Sequence, residues 1–199
     1  TEGTGGSVRT SLLTARASAG DLLLLGPNRV DRAGTLTAAG DLALADDVAL
    51  VAAADGTILA GGTLTLSAVE LSLGGQVKAP SVVWSGTIGV DDNGTGVITT
   101  PLLLVSSSAG GIFLLNPAHR VDALGTVSAQ DRIMLADSAA LLSIGAGQVV
   151  SANGGITLQL AGALALDGAL RAAGATIDIS ATGITEGSGG TIQANLLNL

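Results

Sequence analysis

The chain has no cysteine and no tyrosine, and only one tryptophan, one phenylalanine, one methionine and one histidine in 199 residues. Without thiols there can be no disulfide and no thiolate metal site. Without aromatics a globular helical core loses its usual large anchors. Eight Lys plus Arg stand against sixteen Asp plus Glu, for a net charge of −8. That leaves no basic stripe for a phosphate backbone, so nucleic acid is not expected as a partner. No apolar run approaches the length of a membrane span, so no membrane insertion is expected. The longest, residues 48–54, is closed off by Asp46, Asp47 and Asp55. Residues 1–30 contain Arg9, Arg16 and Arg29 but no basic start followed by an apolar stretch. Any targeting signal is therefore expected outside this sequence. Charge is sparse while mean hydropathy is +0.60, which excludes a disordered chain.

What the chain does have is glycine, 30 residues of it, among Ala, Leu, Thr and branched aliphatics. It also repeats itself. TEGTGGSVRTSLL (1–13) returns as TEGSGGTIQANLL (185–197), with GTGVITTPLLL (94–104) as a third version between them. GPNRVDRAGTLTAAGDLALAD (26–46) returns as PAHRVDALGTVSAQDRIMLAD (117–137), at an offset of 91 residues. Such self-similarity marks a repeat architecture. The super-repeats, of about 92 residues, run approximately 1–93 and 94–184, and a third opens at 185–199.

A shorter beat runs inside the super-repeat. An apolar–x–small motif begins at Val8, Leu36, Ile58, Val77, Ile98, Val127, Val150, Leu170 and Ile192. The steps are 28, 22, 19 and 21, then 29, 23, 20 and 22, so the first coil of each set reads as long. A second apolar stretch follows each motif closely, as at Leu42-Ala43-Leu44, Leu64-Thr65-Leu66 and Ile156-Thr157-Leu158. A third often follows, as at Leu71-Ser72-Leu73, Leu141, Leu164 and Ile184. Apolar–polar alternation over three to five residues is the strand period. Gly40-Asp41, Gly61-Gly62, Gly74-Gly75 and Asn153-Gly154-Gly155 punctuate these stretches, and such residues tolerate the positive φ of sharp turns.

Three short strands per turn of ~20 residues describe a coil that closes a core only by stacking. The predicted fold is all-β: a right-handed parallel β-helix (β-solenoid), its hand set by the chirality of parallel crossovers. Residues 1–199 are expected to form one continuous segment of a longer chain, with Leu36, Ile58 and Val77 on adjacent rungs. Single aromatics Trp84 and Phe113 are expected to fill gaps in the core or to flank it.

The cycle Asn28-x-Val30…Gly34-Thr35-Leu36-x-Ala38, then DLALAD (41–46), then AGGTLTL (60–66) resembles the strand-repeat arrays of filamentous-haemagglutinin-like giant bacterial exoproteins. The likeness runs over essentially the whole chain. It implies an exported, extracellular cell-surface protein acting as an adhesin or structural fibre. The partners it implies are the continuing chain, lateral copies of itself, or host and matrix glycans.

β-Helices also host polysaccharide lyases and hydrolases, which need convergent carboxylates or a cationic base on one face. Here Asp31 and Asp122, and Asp46 and Asp137, are copies under the 91-residue offset. A residue copied in every super-repeat reads as structural, because an active site breaks repeat symmetry. No catalytic residue, metal ligand or cofactor is therefore expected, and the chain is read as not an enzyme; the alternative is a carbohydrate-binding or carbohydrate-cleaving β-helix. Arg29 with Asp31, and His119 and Arg120 with Asp122, mark the one distinctive loop. They suit a partner-binding loop, but the preferred reading of each Arg with its Asp is a local charge-assisted hydrogen bond, and that of His119, whose repeat partner is Asn28, is a loop residue at a turn rather than a ligand or base. Asp91-Asp92-Asn93-Gly94 looks like a small cation loop, but calcium takes six or more oxygens. Its repeat equivalents supply only Glu2 and Glu186, so a structural turn is the preferred reading.

Overall fold

The computed structural model describes residues 6–53 and 55–199. The opening of the first repeat, with Glu2, and the last residue of the 48–54 run lie outside the described residues. The described residues form 21 strands and no helix, so no helix is long and apolar enough to cross a membrane. Every strand pairing is parallel. The fold is a β-solenoid, and each coil lays a strand on each of three faces.

The faces are defined by their inward ladders. On face I, Leu50, Leu71, Val90, Ile112, Ile133, Ile156, Ile177 and Leu197 stand one above the next. Face II stacks Ala15, Leu36, Ile58, Val77 and Ile98, so Leu36, Ile58 and Val77 occupy adjacent rungs as expected. Face III stacks Leu24, Leu44, Leu66, Trp84, Val105, Val127, Val150, Leu170 and Ile192. Alternation does the sorting: along Leu42–Asp46 every second residue is buried, and in Val97–Ser107 the alternation holds on either side of a break at Pro101 and Leu102. With rungs ~4.8 Å apart, these nine make a rod ~40 Å long.

One expectation is corrected. The 28- and 29-residue steps are not long coils. Thr99 pairs with Arg120, so the residue one rung beyond Ile98 is His119, whereas Val127 lies over Val105 on face III. At the other end, Arg9 pairs with Arg29, which places Val8 beside Asn28 rather than Leu36. Eight steps carry face III from Leu24 to Ile192, an average of 21 residues per coil. The chain keeps its coils near this length, from 18 residues (Leu66 to Trp84) to 23 (Val127 to Val150), and register shifts take up the difference so that ladder N–H and C=O groups stay paired. It absorbs the extra residues by moving the motif to the next face. A 91-residue repeat is four coils and a third of a coil. Leu42–Asp46 accordingly sits on face III, while its copy Arg132–Asp137 sits on face I.

The corners repeat with the same shift. Thr10 Oγ1 donates to the Leu12 carbonyl (2.9 Å) and accepts from its N–H (3.3 Å). Thr100 does the same to Leu102, at 2.9 and 3.2 Å, one corner further round. The corner glycines serve a purpose other than the one expected. Gly61 and Gly62 do not have positive φ; a Cβ there would overlap the Ala39 carbonyl oxygen and the Asp41 carboxylate of the coil below. Among the sequence-nominated turn glycines, Gly155 has a positive φ (114°).

Trp84 is 2% exposed and takes a rung between Leu66 and Val105, with its indole N–H unpartnered. Phe113 points outward between Asp91 and Met134, its ring beside Gly111. As the only tryptophan, Trp84 reports on core integrity. Leu64→Ala, on a rung between Leu42 and Val82, should cost about 2–5 kcal/mol. The neighbouring outward Thr65→Ala should stay within about 0.5 kcal/mol. Urea titration followed by Trp84 emission checks both; equal costs would contradict the inward assignment.

Candidate functional site

The Arg-Val-Asp segments lie in extended backbone, so their side chains alternate. Val30 and Val121 are buried, while Arg29, Asp31, Arg120 and Asp122 face solvent. No ion pair joins Arg29 to Asp31 or Arg120 to Asp122 among the described residues, which corrects the expected local charge-assisted bond. Strand alternation puts the two outward charges of each segment on either side of an inward valine, each free to extend into water. Nor do the five nominated residues form one site. Arg29 pairs with Arg9 on face I, whereas Arg120 pairs with Thr99 on face II. The surface ion pair present is Arg32–Asp55 at 2.9 Å, and it is well exposed; such pairs contribute little.

His119 goes the other way, into the core, and is fully buried. Its Nδ1 accepts the Ile98 N–H at 2.9 Å. That nitrogen is therefore unprotonated, and the proton of the neutral ring sits on Nε2, 2.8 Å from Asp92 Oδ2. Asp92 is 1% exposed and also accepts the N–H groups of Asn116 (2.6 Å) and Gly94 (2.8 Å). Burial pushes its pKa up, but the bonds from His119, Asn116 and Gly94, together with the electrostatic influence of His119, hold it below the ordinary aspartate value.

The repeat partner of His119 explains its role. Asn28 is likewise fully buried, and its Oδ1 accepts the Val8 N–H at 2.7 Å, as His119 Nδ1 accepts that of Ile98. Its Nδ2 donates to the carbonyls of Leu24 and Ala45, both at 3.0 Å. The same backbone donor is thus capped by an amide in one super-repeat and an imidazole in the next. Asp46 and Asp137 form a second matched pair. Asp46 accepts from Val30 (2.8 Å) and Val48 (3.0 Å), and Asp137 from Val121 (2.9 Å) and Ala139 (3.0 Å). For both, burial raises the pKa by more than these N–H bonds lower it. These side chains close the backbone ladder where the strand swings round a corner. Asp46 and Asp137 are visible as copies in the residue order, whereas the inward direction of Asn28 and His119 follows from the register between coils.

Asp91 and Asp92 point to opposite sides of the wall. Asp91 bonds outside to Ser72 Oγ (2.9 Å) and the Asn93 N–H (3.1 Å), while Asp92 is engaged inside. They cannot share an ion, and no group of three His, Cys, Asp or Glu side chains suited to a metal occurs among the described residues.

Two surface depressions lie on face II. One, of about 610 Å³, is lined by Arg16, Thr35, Thr37 and Leu59 among others. The second, of about 520 Å³, is lined by Leu59, Lys78, Pro80, Thr99, Pro101, Arg120 and Asp122 among others. Both are lined by Leu59, so they adjoin at that side chain along the rod. No family model, curated protein or solved structure matches the chain.

Two measurements test the buried cluster. His119→Ala strands the Ile98 N–H and weakens Asp92, and should cost about 2–4 kcal/mol. His119→Asn should recover a good part of that, as Asn28 already fills the equivalent position; equal losses for both would contradict the shared role. The second test is pH. Asp46 and Asp137 keep their protons longer in the folded chain than in the unfolded one. Their contribution therefore favours folding at low pH and is lost as pH rises from the ordinary aspartate range, about 4, through their raised values. Asp92 acts oppositely, its stabilisation disappearing as pH falls through its lowered value. The urea midpoint should decline with pH across the upper window, and the decline should flatten in an Asp46→Asn, Asp137→Asn double variant. A midpoint that climbs there would contradict the assignment.

Proposed function

We propose that the chain is a stiff structural and adhesive segment of a large secreted bacterial surface protein, and that it is not an enzyme. The observation that carries this reading is the unbroken stack of rungs, nine deep on face III. Each rung ties its backbone to the coils above and below, so bending or pulling must strain many ladder bonds together. Such a stack supplies length and stiffness, which a stalk or fibre requires. The extracellular, cell-surface setting rests on the resemblance of its repeats to filamentous-haemagglutinin-like arrays. So do host or matrix glycans as partners.

The buried chemistry supports a non-catalytic role. The single histidine has both ring nitrogens committed inside the wall, to Ile98 and Asp92, and cannot reach a substrate on the surface. Among the described residues Thr191–Asn198 pairs on one side only, with Ala169–Ser180, and its largely exposed side chains include Leu196 at 55%. That open edge is what a continuing chain or a second copy would pair with.

In multi-angle light scattering the chain should grow in mass with concentration, and electron microscopy should show unbranched rods one coil wide. A sharply monomeric species at high concentration would overturn the fibre-forming part of this reading.

A further inference from the structure

The outward residues of face II form one axial line: Arg16, Thr37, Leu59, Lys78, Thr99 and Arg120 pair rung to rung without a gap. They run through the two adjoining depressions, which together are termed the face II trough. Three of the chain's eight cations stand on this line, in a molecule of net charge −8. At ~4.8 Å per rung, Arg16 and Lys78 are ~14 Å apart and Lys78 and Arg120 ~10 Å. Asp122, at one margin, is the only carboxylate among the residues lining the trough. The floor between the cations is Thr, Ala, Pro and the half-exposed Leu59 (40%).

We propose that this trough binds a linear acidic polysaccharide lying along the rod axis. Its carboxylates would meet Arg16, Lys78 and Arg120, its hydroxyls the Thr35, Thr37 and Thr99 side chains, and its apolar sugar faces Leu59, Pro80 and Pro101. A pyranose unit is about as long as one rung, so successive sugars meet successive coils in register. An acidic peptide fits less well. Peptides that bind sheets pair with an open edge, and here the backbone N–H and C=O groups beneath the trough are already used between rungs. The proposal deepens the adhesive half of the reading above and rests on it by naming the surface and the ligand class. It does not depend on whether the chain elongates.

The test is calorimetric titration of the full chain at low salt with three probes: oligogalacturonate, its methyl-esterified form and polyglutamate. The mass of the chain is measured separately by light scattering, so failure to assemble and failure to bind are distinguished. Oligogalacturonate should bind and weaken steeply with added salt, and the esterified form should not bind. Lys78→Gln and Arg120→Gln should each weaken binding roughly tenfold, and Arg171→Gln, on face III, should leave it unchanged. All three positions are outward, so Trp84 emission should confirm an intact core in every variant. Absence of binding, unchanged affinity in both trough variants, or equally tight binding of polyglutamate would each overturn the proposal.

Discussion

Parallel pairing between successive coils is the constraint on which everything else in this molecule depends. Each rung must lie over the one before it, so coils depart from their average length by only a few residues, which register shifts take up. Insertions cannot bulge freely where they would strand buried backbone groups. The repeat therefore cannot choose its length and its phase independently. With coils averaging 21 residues, a 91-residue unit closes a third of a turn late. Its copies then appear on face III and face I, or on successive corners, instead of stacking on one another.

The same constraint accounts for the buried polar side chains, which are otherwise out of place in so aliphatic a core. Where a strand swings from one face to the next, the ladder bond between coils is interrupted, and a side chain must take its place. Asn28 and His119 supply an acceptor to a backbone N–H, while Asp46 and Asp137 each take two. Asn and His are interchangeable there because both hold a lone pair at similar reach from the backbone. The cost is burial of carboxylates, visible in the raised pKa of Asp46 and Asp137. Asp92 escapes it by gathering three donors.

A wall built this way separates its two sides cleanly. Inward positions are committed to ladders, and outward positions are free to vary without disturbing the coil. That freedom lets three cations gather on face II of an acidic rod, and lets other strands carry Arg9, Arg29 and Arg32 on face I.

The repeat, the coil of about twenty residues and the all-β class could be read from residue order alone, because a period-two alternation broken by glycine leaves no other way to bury so many short aliphatics. Leu36, Ile58 and Val77 were legible as neighbours for that reason. What the chain's order could not show was where the count restarts: the 28-residue step from Val8 to Leu36 reads as a long coil until Arg9 is seen against Arg29. The direction of His119, the separation of Arg29 from Arg120, and the line from Arg16 to Arg120 all follow from that phase. Register between coils is decided by the pairing of backbones about twenty residues apart, and no local pattern carries it. Only the stacked structure could settle which residues meet.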